Sequence, residues 1–237
     1  DEFQLKSRVS GVPGIKRESI FHALNQKAVA RRYAKSIGKK YEELNLIVVH
    51  LGGGISVGAH RKGLVIDVNN ALNGEGPISP ERAGTVPSEA LATLCFSGKY
   101  TLNEVKKMLH GKAGLAAYLG TSDMITIEEK AIEGKEPYKT LVAAMDYTVA
   151  KEIGAMFVAL KGQCDAIILT GGIAYSDYCV ADIKEQIEYL CKVVVLPGEN
   201  EMESLAENAF GALTGELPVL TYTGVSCAEE IPGMAEA

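Results

Sequence analysis

Paired cysteines, clustered histidines and long apolar runs are all missing from the sequence, and each absence excludes a kind of protein. The five cysteines include no C-x-x-C pair, and the four histidines show no H-E-x-x-H spacing. A disulfide framework and a structural zinc site are therefore not predicted, and we expect reduced thiols that are mostly buried. No apolar run approaches the roughly 18 residues that a membrane span needs, and no secretory signal opens the sequence. We expect a cytoplasmic protein without a membrane partner.

An excess of basic charge is also missing. The 24 Lys and Arg residues stand against 30 Asp and Glu residues, which gives a formal net charge of −6. Proteins that bind nucleic acid usually present a basic face, so a nucleic-acid partner is not predicted. With 47% hydrophobic and 23% charged residues in a chain of 237, the composition is typical of an ordinary globular protein.

The spacing of apolar residues predicts an α/β protein. Short apolar or alternating runs predict buried strands, whereas apolar residues recurring every three or four positions predict helices. The loop 69–87, rich in Gly and Pro, is long enough to suggest a functional role. Strands are predicted at 46–51, 55–60, 64–68, 165–170 and 192–196, and helices at 17–38, 88–96, 101–110, 141–161, 176–190 and 204–213. The apolar stripe of the long helix, which we expect to be core, consists of Leu141, Met145, Val149, Ile153, Met156, Phe157 and Leu160.

Two glycine clusters, at 52–54 and 171–172, each follow a predicted buried strand. Glycine lets backbone N–H groups approach a phosphate closely. The first cluster runs into a second strand instead of a helix, which disfavours a dinucleotide fingerprint, and no Gly-Lys-Ser/Thr of a Walker A loop is present. A strand–glycine turn–strand hairpin and a T-G-G loop are typical of the two-lobed actin, sugar-kinase and Hsp70-like ATPases. Tight turns in an unrelated α/β domain remain the alternative from these clusters alone.

Longer stretches of the sequence resemble one family. Those at 21–28, 50–56, 67–77, 79–85 and 169–176 are similar to the butyrate kinase branch of the acetokinase family. The resemblance covers about residues 8–215. The acetate kinase branch fits less well, because Gly53 stands where that branch usually has Asn.

The resemblance implies a fold and a reaction. The expected fold is a ribonuclease H-like, actin-like ATPase lobe with a mixed central sheet flanked by helices. The implied reaction is reversible phosphoryl transfer from ATP to butyrate, giving butyryl phosphate and ADP with Mg²⁺, in an enzyme that is a homo-oligomer. An isobutyrate kinase, a non-catalytic nucleotide-binding fragment and a truncated, poorly folded gene product remain alternatives. We expect a remnant of another lobe at 1–18, the nucleotide-binding lobe at 19–215 and an irregular tail at 216–237.

The family also carries an N-terminal lobe, and the resemblance finds no counterpart for it here. That lobe supplies a second phosphate-binding hairpin, an arginine for the substrate carboxylate and a catalytic aspartate. We therefore expect this chain alone to bind nucleotide weakly and to turn over little, because half of the clamp around the phosphoryl group would be absent.

The resemblance assigns catalytic roles to Arg82, His50 and His22. Arg82 matches an arginine that contacts the transferred phosphoryl group, and a guanidinium can hold two of its oxygens at once. His50 matches a histidine that points toward that group, and His22 matches one that steadies the phosphoryl group or the acyl carboxylate. By contrast, His60 and His110 have no such support and are interpreted as surface residues.

The remaining expected contacts are with the nucleotide and the metal. Asp123 resembles a family position near the nucleoside, although Ile125 stands where the family often has an arginine. Glu201 is the expected Mg²⁺ ligand, with Glu199 and Glu203 as alternatives because the alignment there can slip. The expected phosphate-binding residues are Gly52, Gly53 and Gly54, and the expected ribose- and adenine-binding residues are Gly171, Gly172 and Ile173.

Overall fold

A mixed five-stranded sheet forms the centre of the protein. The computed structural model describes residues 4–198, 201–219 and 221. The strands lie in the order β3-β2-β1-β4-β5, with β1–β2 and β2–β3 antiparallel and β1–β4 and β4–β5 parallel. The mixed sheet predicted for the fold is therefore confirmed. The strands are β1 (Asn45–Leu51), β2 (Ile55–Arg61), β3 (Leu64–Val68), β4 (Ala166–Thr170) and β5 (Val193–Val195).

Helices cover both faces of this sheet. Helix α1 packs on one face, and α5, α6 and α7 pack on the other. Helix α8 packs on α1. The helices are α1 (Ala23–Ser36), α2 (Ser88–Cys95), α3 (Leu102–Leu109), α4 (Gly114–Leu119), α5 (Met124–Ile132), α6 (Tyr138–Ala159), α7 (Asp177–Ile187) and α8 (Glu201–Thr214).

Strand β1 is buried on both faces, which explains its near-continuous apolar sequence. Ile47 and Val49 belong to the core shared with α6 and α7, whereas Leu46 and Val48 belong to the core shared with α1. Successive side chains of a strand point to opposite faces, so one strand supplies both cores. The predicted core stripe of α6 is confirmed: Met145, Val149, Ile153, Met156 and Leu160 are buried, and Leu141 and Phe157 pack against them.

The first helix is shorter than predicted. It begins at Ala23 instead of residue 17, because His22 has a non-helical backbone (φ −76°, ψ 61°). The preceding segment packs beside β3 instead: Gln4 donates its N–H to the carbonyl of Ile66 at 3.2 Å. Arg17 pairs with Asp67 at 3.1 Å and with Glu75.

Two short helices, α4 and α5, were not predicted from the sequence. Helix α4 has only six residues and opens on a glycine, so its periodicity is too brief to detect. Helix α5 carries a recognisable start signal, since Asp123 is its N-cap. The predicted loop 69–87 is confirmed as irregular structure.

The four described cysteines are free thiols, as expected, but their burial varies. Cys179 is buried, Cys164 and Cys191 are half-buried, and Cys95 is exposed, so the expectation of mostly buried thiols is only partly correct. Cys227 lies outside the described residues. Within the described part of the chain, no helix is long and apolar enough to cross a membrane. The proposed divisions at 18/19 and 215/216 stay predictions, and most of the tail 216–237 is not described.

Candidate functional site

The two glycine clusters lie side by side at one edge of the sheet. Strands β1 and β4 are parallel neighbours in which His50 pairs with Thr170, so the turns that follow both strands meet there. Gly171 lies directly on the β1 backbone: a Cβ atom at this position would be 2.7 Å from the nitrogen of Leu51. Its φ of +92° is also one that residues other than glycine rarely adopt. A close approach and a backbone conformation both require glycine here.

A cleft of about 350 Å³ opens between the two clusters. Its remaining wall comes from the segment around α5, from Pro80 in the long loop and from the turn after β4. Met124 and Ile125 make one side apolar, which suits a flat heterocyclic ring. The cleft is lined by Gly52, Gly53, Pro80, Ser122, Met124, Ile125, Glu128, Gly172, Ile173, Tyr175 and Ser176.

The long loop is held on the first glycine turn. Ser79 donates its hydroxyl to the carbonyl of Gly53 at 2.6 Å, and Glu81 donates its backbone N–H to the same carbonyl at 3.1 Å. Ser122, at the start of the α5 segment, donates to the Glu81 carboxylate at 3.1 Å. These bonds join the loop, the glycine turn and α5 into one wall. The sequence prediction assigned no role to Ser79 or Ser122, although Ser79 opens one of the stretches that resemble the family.

The first residue of α4 supports the same loop. Gly114 has φ +59°, and a Cβ atom there would overlap the carbonyl of Ser79 and lie 2.6 Å from that of Arg82. Leu115 donates its N–H to the carbonyl of Ser79 at 3.1 Å. Only glycine allows this contact, so Gly114 positions the loop that carries Arg82. The sequence prediction did not identify it.

Arg82 lies beside the first glycine turn. A Cβ atom on Gly54 would be 3.9 Å from the Cγ atom of Arg82. Its Nη1 donates to the backbone carbonyl of Glu81 at 3.2 Å and lies 3.6 Å from that residue's carboxylate. Its Nε is buried and meets no hydrogen-bond partner among the described residues. A buried cationic donor that lacks a partner fits an anionic ligand, because an unsatisfied donor is costly.

His22 and His50 form a stacked pair next to Gly54. Their ring centroids are 3.7 Å apart, with 14° between the planes, and a Cβ atom on Gly54 would be 3.9 Å from Cε1 of His22. His50 is only 2% exposed, and its Nδ1 lies 3.1 Å from Oδ1 of Asn25. Burial, with a smaller effect of His22, lowers the pKa of His50 to about 3. His50 is therefore neutral at physiological pH, and the three predicted catalytic residues surround one turn.

The interpretation of His60 as a surface residue was wrong. His60 is 0% exposed and bonds Tyr41 at 2.6 Å and Gln26 at 2.9 Å. It lies on β2, where strand alternation directs its side chain beneath α1. Burial, with the nearby Lys27 charge, lowers its pKa to about 3. His110 is half-buried, and its backbone bridges to that of Arg82.

The expected nucleoside and metal residues have mixed outcomes. Asp123 is exposed and caps α5, accepting hydrogen bonds from the Thr126 hydroxyl at 2.6 Å and the Ile125 N–H at 3.3 Å, and these bonds lower its pKa. Its neighbours on each side line the cleft, whereas its own carboxylate does not. The side chain of Glu201 and all of Glu199 lie outside the described residues. Glu203 pairs with Arg32 of α1 at 3.4 Å. Among the described residues, no group of three His, Cys, Asp or Glu side chains could hold a metal.

Comparison with known proteins shows the family of this chain. A family model described as "Acetokinase family" matches residues 2–210. The chain belongs to the acetokinase family. It is 70% identical over 222 residues to a "Probable butyrate kinase" of Phocaeicola vulgatus and 54% identical to one of Bacteroides thetaiotaomicron. Each match covers 94% of this chain and 63% of the relative, so the chain spans less than two thirds of the length of these curated proteins.

Solved structures show the fold of this acetokinase chain. An acetate kinase of Porphyromonas gingivalis matches with a TM-score of 0.78 at 21% identity, covering 88% of this chain and 60% of its own. A propionate kinase of Francisella tularensis matches with a TM-score of 0.75 at 20% identity, covering 85% and 59%. Together with the strand order, these matches confirm the expected actin-like ATPase fold.

Helix α6 of the acetokinase chain carries a buried carboxyl group behind the cleft. Asp146 is 0% exposed, and the only group near its carboxylate oxygens that could donate to them among the described residues is the thiol of Cys179, a weak donor in poor geometry. Burial, followed by the charge of Asp182, raises its pKa from 3.8 to about 8. The folded chain therefore binds this proton more tightly than the unfolded chain does. Between pH 4 and pH 8 this one group lowers the free energy of unfolding by about 1.4 kcal/mol per pH unit as the pH rises.

Replacing Asp146 with asparagine is expected to remove that dependence. Asp146→Asn should be more stable than the parent at pH 8, by on the order of 3 kcal/mol. The ionisation cost of about 5 kcal/mol accumulated up to pH 8 disappears, and the buried amide costs about 2 kcal/mol in its place. Urea unfolding of both proteins at several pH values between 5 and 8.5 measures the effect. Asp177→Asn, at an exposed position on α7, is the control and should keep the parent's pH profile. Equal slopes for Asp146→Asn and the parent would contradict the assignment.

Proposed function

We propose that this chain forms the nucleotide-binding lobe of a short-chain acyl kinase. The reaction is reversible transfer of the terminal phosphoryl group of ATP to butyrate, which gives butyryl phosphate and ADP. A carboxylate oxygen forms a bond to the γ-phosphorus while the bond from that phosphorus to the β–γ bridging oxygen breaks. The names of the two curated relatives support butyrate as the acceptor.

One observation carries the proposal: residues of both glycine clusters line a single cleft, and Arg82 and the stacked histidines lie beside Gly54, the last residue of the first cluster. The N–H groups of Gly52, Gly53 and Gly54 would bind the β- and γ-phosphates. Gly171, Gly172 and Ile173 would face the ribose and adenine, against the apolar side made by α5. Asp123 would then act indirectly: it caps α5 and so holds in place the α5 residues that face the nucleoside.

The charges of the site assign different roles to Arg82 and the histidines. Phosphoryl transfer needs positive charge around the moving group, and catalysis consists mainly of positioning and electrostatic stabilisation. Because His50 is neutral, it can contribute hydrogen bonds but no charge. Arg82 is the cation that the described residues place at the turn, and its buried Nε supplies a donor for a phosphoryl oxygen.

Magnesium, bound together with the nucleotide, would supply further positive charge to the phosphates. It commonly binds through one or two carboxylates together with phosphate oxygens and water, so a dedicated cluster of protein ligands is not required. Glu201 remains the proposed carboxylate for this role. A homo-oligomeric state likewise remains a prediction for the longer protein.

Binding of MgADP tests the cleft directly. Gly172 lies in the cleft wall with an ordinary helical backbone (φ −67°, ψ −38°), so other residues fit its conformation. Gly172→Asp should weaken MgADP binding at least about tenfold, because it places a negative charge beside the nucleotide. Gly172→Ala, which adds a methyl group without charge, is the matched control. Isothermal titration calorimetry measures both, and equal affinity of the aspartate variant and the parent would contradict the proposed site.

The acyl acceptor is tested with the full-length protein that contains this chain. Trapping of acyl phosphate as the hydroxamate, with butyrate, isobutyrate and acetate compared, gives the preferred acid. Butyrate is expected to have the highest kcat/KM. MgADP binding without formation of any acyl phosphate would instead identify a nucleotide-binding module that lacks kinase activity.

A further inference from the structure

A continuous chain of hydrogen bonds runs beneath α1 from Tyr41 to His22. The Tyr41 hydroxyl lies 2.6 Å from Nδ1 of His60, and Nε2 of His60 lies 2.9 Å from Oε1 of Gln26. Nε2 of Gln26 lies 2.8 Å from the Ser56 hydroxyl, which lies 2.8 Å from Nδ1 of His22. Gln26, Ser56 and His60 are fully buried, so these groups must satisfy one another.

The orientation of the Gln26 amide determines the direction of every bond in this chain. Its nitrogen donates to the backbone carbonyl of Ser56 at 3.2 Å as well as to the hydroxyl, and a carbonyl can only accept. The amide oxygen must therefore face His60. The β2 strand makes room for this arrangement at Gly58, where a Cβ atom would overlap Oε1 of Gln26. The absence of a side chain at Gly58 thus leaves room for the hydrogen bond between Gln26 and His60.

On the side away from the cleft, the amide oxygen requires a proton on Nε2 of His60. His60 is neutral because burial lowers its pKa to about 3. A neutral imidazole carries one proton, so Nδ1 of His60 is an acceptor and takes the proton of the Tyr41 hydroxyl. The series of hydrogen bonds therefore ends at the Tyr41 hydroxyl, which donates to Nδ1 of His60 without requiring a charge on either residue.

On the side of the cleft, the Ser56 hydroxyl has a single proton. Its oxygen accepts from Gln26, and Nδ1 of His22 is the other group that lies within hydrogen-bond distance of it among the described residues. Because an unsatisfied buried O–H is costly, the proton is directed to Nδ1 of His22. We infer that Gln26 and Ser56 are positioning residues that hold His22 as the neutral tautomer with its proton on Nε2. Nδ1 is the ring nitrogen that bonds Ser56, and Cε1 faces Gly54. Nε2 is bonded to Cε1, so it is the nitrogen that remains for a ligand at the glycine turn.

This inference deepens the proposed function and rests on it for its consequence. A neutral histidine with Nε2–H can donate a hydrogen bond to a phosphoryl or carboxylate oxygen. The other tautomer would direct a lone pair at an anion and would repel it. Ser56 and Gln26 would therefore make His22 a permanent donor without adding charge, while Arg82 supplies the charge.

The tautomer can be read from the protein without nucleotide, by long-range ¹H–¹⁵N correlation of ¹⁵N-histidine-labelled chain at neutral pH. His22 should show a protonated-type shift at Nε2 and an unprotonated-type shift at Nδ1. In Ser56→Ala the two shifts should move toward each other, as a mixture of tautomers forms. Gln26→Met, which removes the amide that orients Ser56, should shift them in the same direction. Ser36→Ala, at the far end of α1, is the control and should leave both unchanged.

A protonated Nδ1 in the parent protein, as the other tautomer or as the imidazolium, would overturn the inference even if no variant folds. Unchanged shifts in folded Ser56→Ala would overturn it as well. In the full-length kinase, Ser56→Ala should lower kcat about tenfold with little change in KM for ATP, as expected for one weakened hydrogen bond. If the parent has the expected tautomer but His22→Ala keeps full kinase activity, the proposed role of His22 fails while the hydrogen-bond chain stands.

Discussion

Replacing Arg82 with alanine is expected to lower kcat of the proposed kinase, measured on the full-length protein, by about 10³-fold while MgADP still binds. Arg82 lies beside Gly54 of the first glycine turn, and its buried Nε lacks a partner within the described structure. The glycine clusters and the apolar wall, which would hold the rest of the nucleotide, do not depend on its side chain. The loss should therefore appear in the chemical step, as measured by hydroxamate trapping, and only slightly in calorimetry with MgADP.

One further variant separates charge from geometry at position 82, and a second variant, at Arg61, is the control. Arg82→Lys keeps the charge but loses the planar fork, so it should recover only part of the activity. Arg61→Ala removes an exposed arginine at the end of β2 and should be close to the parent. Activity of Arg82→Ala within about tenfold of the parent would show that this guanidinium does not stabilise the transferred group.

Replacing Gly171 with alanine is expected to destabilise the fold by about 3 kcal/mol or more and to abolish MgADP binding. Its φ of +92° is strained for alanine, and the new methyl group would meet the backbone of Leu51, which cannot rotate away as a side chain could. Strands β1 and β4 would separate at the edge where the cleft forms. Urea unfolding and calorimetry measure the two losses.

The adjacent glycine provides the control. Gly172 has a helical backbone and is exposed, so Gly172→Ala should change the free energy of unfolding by no more than about 0.5 kcal/mol. The two variants add the same methyl group at adjacent positions. Equal stability of the two would mean that β1 and β4 do not approach each other as closely as described.

The family motifs selected three residues that the fold brings close together. His22, His50 and Arg82 lie 28 or more positions apart in the sequence, yet His22 and Arg82 both lie beside Gly54 and His50 stacks on His22. Local signals also predicted the five strands and the core stripe of α6, because strand and helix periodicities are properties of neighbouring residues. The α5 segment was missed, although it supplies much of the cleft wall.

Other features depend on contacts between distant residues. A run of glycines does not reveal that Gly171 touches β1 whereas Gly172 is exposed. A histidine in a strand does not reveal whether its face is covered, and His60 was misplaced for that reason. Asp146 lies on a helix whose sequence contains acidic and basic residues, and nothing local indicates that its carboxyl group is buried.

The sequence by itself determined the family, the strand and helix pattern and the identities of the candidate catalytic residues, because each is written in short stretches of chain. Only the tertiary structure decided the chemical state of those residues. The packing of α1 on β2 excludes water from Gln26, Ser56 and His60, and buried polar groups must then satisfy one another in a single arrangement. That arrangement assigns the proton of His22, because donors and acceptors must match along the whole chain of bonds.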